Sequence, residues 1–510
     1  MKTTLQRIHE QTKKSEQAER EALLTEISDP STSNDRRNFL KKAALGGIAL
    51  GGLMHLSIED TIAQTTQRVS RSSSPSELRI TDLRVAEKGN GNRFANRIIR
   101  IETNQGIYGI GDVRDGSDQR LALFLKSKIV GLNPCNVEMI FKVIKQYGFH
   151  GRQGVGVSAV ETACWDLCGK ALGVPVWQLL GGRYRDKVRL YADTPEHRDP
   201  AVQLERLKNR FSVEGFTWLK MDLGIHQISH IPDTLVNTKH WEENGGGINN
   251  WYMGRSYADG GYLDYWKLDH PFTQVQITDK GIEEICKIVE GVRAVVGTEI
   301  PISVDHFGHF DMNQMIRLGR ALDKYRLGWL EDCVPWYYTD QWRTITDAIE
   351  TPTCTGEDIY MLGGLLGGFK NLIDAHAVDI VHPDMVSAGG ILETKKIGDY
   401  AEEAGIPMAL HTNSTPIAFM GMVHVAAATE NFLCLEHHNV DVPNWEDIVK
   451  LTGSKPLVEK GYANVPLDAP GLGIELNDDY LKSTLQKGSK YFDATPEWDS
   501  SGRTYDKLWI

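Results

Sequence analysis

Three carboxylates recur in the sequence at a single interval: Asp305, Glu331 and Glu357 stand 26 residues apart. Each closes a short β-rich run, IPISVDH, LGWLEDC and TPTCTGED in turn. Such an interval holds one strand and one helix, so the three side chains arrive on consecutive parallel strands at the same rim. Negative charges gathered there repel unless a hard cation stands between them. A set of oxygens with no sulfur or paired imidazole suits Mg2+, one ion per site, with positions left open for substrate oxygens. Acidic residues also favour helix N-termini, a plainer reading that serves for one carboxylate better than for three in register.

Two further runs end in groups that move protons. Asp384 in VDIVHPDMVSAGG and His411 in IPMALHTNSTPIA close neighbouring strands, which sets a carboxylate beside an imidazole. The carboxylate fixes the tautomer and raises the basicity of the ring, as a general base near neutrality requires. On the opposite side, in WLKMDLG, strand alternation turns Lys220 and Asp222 inward. Lys220 then faces the cation across the mouth, placed to bind a substrate carboxylate or to carry a proton. Glu436 in LCLEHH completes the ring and, when protonated, can hydrogen-bond a developing acid oxygen.

These positions demand a frame that brings strand ends together. After Arg183 the chain alternates helical segments with KVRLYAD, FTWLKMD, IPISVDH, LGWLEDC, TPTCTGED, VDIVHPD, IPMALHT and NFLCLEHH. Eight such runs make an α/β fold of the (β/α)8 TIM-barrel type, which carries its chemistry on the C-terminal rim. Before the barrel, ITDLRVAEKG, RIIRIETNQGIYGIGDV and the helical SAVETACWDLCGKALGVPVWQLLGG read as an α+β module. Between the second and third strands, His226 to Thr273 contains ENGGGINNWYMGRSYADGGYLDYW, an elaborated loop rather than a plain crossover.

The 510 residues carry 56 Lys and Arg against 68 Asp and Glu, a formal charge of −12. That balance excludes the basic surface that nucleic acid requires. Seven scattered cysteines form no CxxC pair or even framework and are expected as buried thiols, with Cys164 and Cys168 packing in the core. Near the N-terminus, DRRNFLKKAALGGIALGGLMHL sets Arg36 and Arg37 before an apolar run, Ala43 to Leu56, in the manner of a twin-arginine export signal. The run is shorter than the roughly 20 apolar residues of a spanning helix. The expectation is export to the periplasm, with no membrane contact in the mature form and a tether only if the signal stays uncleaved.

From about 77 to 455 the chain resembles the mandelate racemase and muconate lactonizing enzyme branch of the enolase superfamily. The resemblance rests on GIYGIGD, on GVGVSAVETACWDLCGKALGVPVWQLLGG, and on the Lys-x-Asp, Asp, Glu, Glu, Asp and His rim positions in order. It implies an α+β capping domain closing over the barrel, and Mg2+ stabilising the enediolate formed when the proton α to a carboxylate is removed. The implied organisation is a polar extension and signal over 1–63, a linker over 64–76, a capping domain over 77–185, a barrel over 186–455 and a segment returning to the cap over 456–510. Racemases of this branch carry Lys-x-Lys on the second strand, whereas Asp222 stands here, which disfavours two-sided racemisation. WLEDCVPW, GEDIY and VHPDMVSAGGILE resemble the gluconate, galactonate and mannonate dehydratases.

Those enzymes place a histidine two residues beyond the third-strand Asp, where this chain has Phe307 flanked by His306 and His309. His309 is the stronger candidate for the acid that expels the hydroxyl, since a loop turn can bring it inward while His306 alternates outward. The expected activity is a Mg2+-dependent lyase that converts a sugar acid to a 2-keto-3-deoxy acid, with the sugar acid as partner and a homo-oligomer as the assembly. The alternatives are an epimerase, racemase or cycloisomerase on a sugar acid, and a non-catalytic sugar-acid binding protein.

Overall fold

The computed structural model describes residues 74–89, 96–113, 118–147, 156–194, 197, 199–228, 230–236, 276–305, 310–361, 367–453 and 455–500. Eight parallel strands close into a barrel: Lys187–Thr194, Leu219–Asp222, Ile302–Asp305, Leu330–Glu331, Thr353–Thr355, Ile380–Val381, Met408–Leu410 and Phe432–His437, called first to eighth below. The eighth pairs in parallel with the first, Glu436 opposite Tyr191, which closes the ring. These are the eight runs expected from the sequence.

Short polar side chains start the intervening helices by accepting from otherwise free backbone N–H groups. Asp199 accepts from Ala201 before Pro200–Ser212, Thr278 from Gly281 before Asp279–Val296, and Asp311 from Asn313 and Gln314 before Met312–Leu322. Inside the barrel, Tyr191, Trp218, Trp329, Cys354, Ile380, Ala409 and Cys434 form one buried layer. Trp218 and Trp329 pack with ring centroids 5.1 Å apart, so the interior is filled and the rim above it rests on a solid floor.

An antiparallel sheet of Ile80–Lys88, Asn96–Thr103 and Tyr108–Val113 packs against the helix Gly156–Leu172. The approach is set by glycine: a Cβ on Gly109 would stand 2.1 Å from the Ala163 carbonyl oxygen and one on Gly111 2.0 Å from that of Ala159. Polar groups of this module then grip the barrel. Ser158 Oγ accepts from Gly389 N–H at 3.1 Å, and Glu161 from Ile391 N–H at 2.7 Å and Leu392 N–H at 3.0 Å. Asp112 accepts from Thr415 N–H at 2.8 Å. The chain beyond the barrel comes back to the sheet through the bridges of Lys88 with Leu485 and Ala86 with Tyr491.

All seven cysteines are free and all but Cys135 are buried, as thiols of the interior should be. Cys164 and Cys168 lie on the Gly156–Leu172 helix, in its packed face. Among the described residues no helix is long and apolar enough to cross a membrane. The run expected as an export signal and the part of the 226–273 insert from 237 onward lie outside the described residues; on either side of it Leu235–Val236 pairs with Gln276–Ile277.

Candidate active site

Four strands contribute their rim residue by the same local rule: the side chain two positions before it belongs to the interior layer, so alternation turns the rim residue inward as well. Trp218 precedes Lys220, Trp329 precedes Glu331, Ala409 precedes His411 and Cys434 precedes Glu436 in this way. Lys220, Asp222, Asp305, Glu331, Asp384, His411 and Glu436 are all buried, while Glu357 keeps 26% of its side chain exposed.

Lys220 is the cation at the centre of the carboxylates. Its Nζ lies 3.3 Å from Asp305 Oδ2, 3.6 Å from Glu331 Oε1 and 2.9 Å from Glu436 Oε1. The expectation was a lysine across the mouth from the triad; instead it touches two of its members, because a buried ammonium is stable only against opposite charge. Burial works against that ammonium, but Glu331 and Glu436 outweigh it and hold the Lys220 pKa well above its ordinary value. Asp222 pairs in register with Asp305 on the next strand.

Glu331 is fixed from below. Trp329 Nε1 donates to its Oε2 at 2.8 Å, and His382 Nδ1 stands 3.0 Å from its Oε1. His382 Nε2 meets the buried Tyr191 hydroxyl at 2.9 Å, which carries the chain of contacts into the floor. Burial alone would raise the Glu331 pKa, yet His382 and Lys220 hold it well below the carboxylate range. Its Oε1 nevertheless has no aligned hydrogen bond, only the contacts with His382 and Lys220. Asp332 behind it is pushed up by burial and by Glu357, Asp305 and Glu331, and accepts from Thr355 Oγ1 at 2.5 Å.

His411 and Asp384 form the expected dyad. The two residues bridge in parallel, and His411 Nδ1 lies 2.7 Å from Asp384 Oδ2. The other Asp384 oxygen accepts from Val386 N–H at 2.8 Å, fixing the carboxylate at the start of a short helix. His411 Nε2 faces Glu357 Oε2 at 2.9 Å and Glu436 Oε2 at 3.3 Å. Desolvation disfavours the imidazolium, but Glu357, Glu436 and Asp384 outweigh it and raise the His411 pKa well above its ordinary value. Glu436 Oε2 also accepts from Thr412 N–H at 3.0 Å.

The structure thus links Asp305, Glu331 and Glu436 through Lys220, and Glu357, Asp384 and Glu436 through His411. Asp305, Glu331 and Glu357 do not bring three ligand atoms within 4.8 Å of one another, whereas Glu331, Cys354 and His382 do, as do Asp193, Glu436 and His438. His306 and His309 lie outside the described residues. Tyr191 and His382 were missed in the sequence. His382 had a signal, since it stands two residues before Asp384 in VHPD and alternation gives both the same side.

Known proteins match the chain over both the antiparallel-sheet module and the barrel. Residues 90–181 match the mandelate racemase / muconate lactonizing enzyme N-terminal domain, and 204–480 the enolase C-terminal domain-like family. A D-xylonate dehydratase of Haloferax volcanii is 30% identical over 404 residues, covering 78% of this chain and 87% of that protein. A D-galactonate dehydratase family member of Pseudarthrobacter chlorophenolicus is 26% identical over 397 residues, 75% of this chain and 89% of that one. A mandelate racemase/muconate lactonizing enzyme-like protein from Rubrobacter xylanophilus superposes with a TM-score of 0.67 at 27% identity, over 82% of this chain and all of the other. On both halves of the fold, then, the chain belongs to the mandelate racemase and muconate lactonizing enzyme branch of the enolase superfamily, in the neighbourhood of its sugar-acid dehydratases.

Proposed function

We propose that this protein is a Mg2+-dependent hydro-lyase that removes the proton α to the carboxylate of a sugar acid and eliminates the 3-hydroxyl, leaving a 2-keto-3-deoxy acid. The observation that carries the reading is the His411–Asp384 dyad at 2.7 Å, opening onto the same Glu436 carboxylate that Lys220 touches. A base and an anion-binding cation thereby share one edge of the mouth. The relatives named as dehydratases of sugar acids support the same reaction class.

The donor set fits the metal. Asp305, Glu331 and Glu357 offer oxygen only, and the buried Glu331 Oε1, though near His382 and Lys220, has no aligned hydrogen bond and so keeps a lone pair for a cation. When bound, Mg2+ supplies positive charge to the substrate carboxylate as it takes on enediolate character. Lys220 clamps the same carboxylate from the side of Glu436. With Glu357 engaged as a metal ligand it would no longer hold a proton on His411 Nε2, and the neutral ring takes the C2 proton there, while Asp384 holds Nδ1 and stabilises the imidazolium. Trp329 and His382 keep Glu331 from turning away during the charge change.

The division into a cap over 77–185, a barrel over 186–455 and a returning segment over 456–510 belongs to this proposal, as do a homo-oligomeric assembly and twin-arginine export. Purified protein with Mg2+, screened against aldonic and uronate-derived acids for 2-keto acid, tests the function. Formation of a 2-keto-3-deoxy acid is the expected result; an epimer or a ring-opened isomer as the sole product would move the chain to another reaction of the superfamily. For export, Arg36→Lys with Arg37→Lys should confine the protein to the cytoplasm of fractionated cells.

A further inference from the structure

The mouth contains a second histidine–aspartate pair that the sequence reading did not use. Where the barrel closes, Leu435, Glu436 and His437 of the eighth strand lie opposite Leu190, Tyr191 and Ala192 of the first. Tyr191 and Cys434 belong to the interior layer, so alternation turns Asp193 and Glu436 inward above it, and His438, the first residue past the eighth strand, meets Asp193 there. His438 Nδ1 lies 2.8 Å from Asp193 Oδ2, against 2.7 Å for His411 and Asp384. The pair is built in the same sense, with Nδ1 turned to the carboxylate and Nε2 left over.

Three observations separate this pair from a structural contact. Asp193 is buried, and its Oδ1 has no hydrogen-bond partner. His438 keeps 32% of its side chain exposed, and its Nε2 makes no hydrogen bond among the described residues. Glu436 stands between the two pairs: its Oε2 is 3.3 Å from His411 Nε2, and its carboxylate, that of Asp193 and a His438 nitrogen each bring an atom within 4.8 Å of the others. A cation held by Asp193, Glu436 and His438 would crowd the Lys220 ammonium, already 2.9 Å from Glu436 Oε1. A proton on the ring meets no such conflict. Burial opposes the imidazolium, yet Asp193 and then Glu436 outweigh it and raise the His438 pKa above its ordinary value.

We propose that His438, oriented by Asp193, is the acid that protonates the 3-hydroxyl as it leaves, an inference that rests on the dehydratase reading above. His411 removes the C2 proton, and the electron pair of that C–H bond becomes the C2–C3 double bond of an enol. The C3–O bond breaks with its pair on oxygen, His438 Nε2–H supplies a proton, and the group departs as water. The enol then takes a proton at C3 and gives up its hydroxyl proton, so the substrate has lost one water in all. The proton gained by His411 and the one lost by His438 are exchanged back through solvent.

The full-length protein with Mg2+ tests this on the sugar acid that the wild type dehydrates and on its 3-deoxy-3-fluoro analogue. Fluoride leaves without a proton, so it separates acid catalysis from binding. His438→Gln should lower dehydration by about 100-fold or more, keep exchange of the C2 hydrogen in D2O, and turn over the fluoro acid within a few-fold of wild type. Asp193→Asn should share that pattern with a smaller loss. If His438→Gln dehydrates at the wild-type rate, or loses exchange and fluoride release together with dehydration, the acid role is overturned. The same follows if His309→Gln alone shows the pattern. A wild type that exchanges C2 hydrogen of sugar acids but never forms a 2-keto acid defeats the dehydratase reading instead, a result distinguishable from all of these.

Discussion

The two halves of the barrel mouth are built for different tasks. On strands two to five, an ammonium and three carboxylates hold charge: Lys220 lies 3.3 Å from Asp305 and 3.6 Å from Glu331, with Glu357 on the next strand. On strands six to eight and one, two imidazoles are each paired with an aspartate, at 2.7 Å and 2.8 Å. The halves also differ in support. Ser158, Glu161 and Asp112 of the cap hydrogen-bond to Gly389, Ile391, Leu392 and Thr415, all just beyond the sixth and seventh strands. The proton-moving half is thereby tied to the cap by its own backbone. A base must keep its angle to one C–H bond, whereas a charge cluster acts over a longer range, so the tighter support falls where geometry is the more demanding.

Substitutions should break the two halves in different ways. Glu331→Gln should cost the most, of order 10⁴-fold in turnover, together with loss of stoichiometric Mg2+ by elemental analysis. Full activity in EDTA-treated wild type would contradict the metal assignment. His411→Asn should lower turnover by about 10³-fold while leaving bound Mg2+ intact, which sets the proton-moving half apart from the charge-holding half. Lys220→Met should raise KM and lower kcat by roughly 10-fold each, because it deletes a cation that faces an anion in both ground and transition states. A change in kcat alone would mean that Lys220 acts on the proton and not on the substrate carboxylate.

The cap-facing side of the barrel also predicts a pH effect on stability. His424 is buried, and burial depresses its pKa to about 4 while its Nδ1 accepts from Trp177 N–H at 3.1 Å. Above pH 6.5 both folded and unfolded states keep this ring neutral. As pH falls from 6.5 through 4 the unfolded chain takes a proton that the folded one refuses, and stability drops by about 3 kcal/mol. Denaturant unfolding at pH 7 and pH 4.5 measures the drop, and His424→Asn, which keeps an acceptor, should flatten it. Gly111→Ala should have the smallest effect, about 2 kcal/mol at neutral pH, since its Cβ would meet the Ala159 carbonyl oxygen and force sheet and helix apart. An unchanged unfolding midpoint would mean that the module yields at no cost.

What the sequence disclosed follows the same division. Asp305, Glu331, Asp384 and His411 could be placed because each sits at or just past the end of a hydrophobic run, a signal contained in a few residues. Lys220 could be placed but not paired, since alternation gives a direction and not the carboxylate that an ammonium will meet. The Asp193–His438 pair was less legible for a topological reason: it joins the first strand to the end of the last, and only closure of the barrel brings residues 193 and 438 together. The Tyr191–His382 contact crosses the barrel interior and has no local trace beyond alternation. The chain following strands two, three and five, where 237–275, 306–309 and 362–366 lie outside the described residues, is also where sequence patterns said least about the substrate.

The central claim is that the proton is removed by the His411–Asp384 side of the mouth, and exchange of the substrate's C2 hydrogen with D2O, followed by NMR, addresses it without depending on the later elimination. His411→Asn should abolish exchange while Lys220→Met slows it and weakens binding. Exchange at the wild-type rate in His411→Asn, with none in Lys220→Met, would make Lys220 the base and reverse the face of attack.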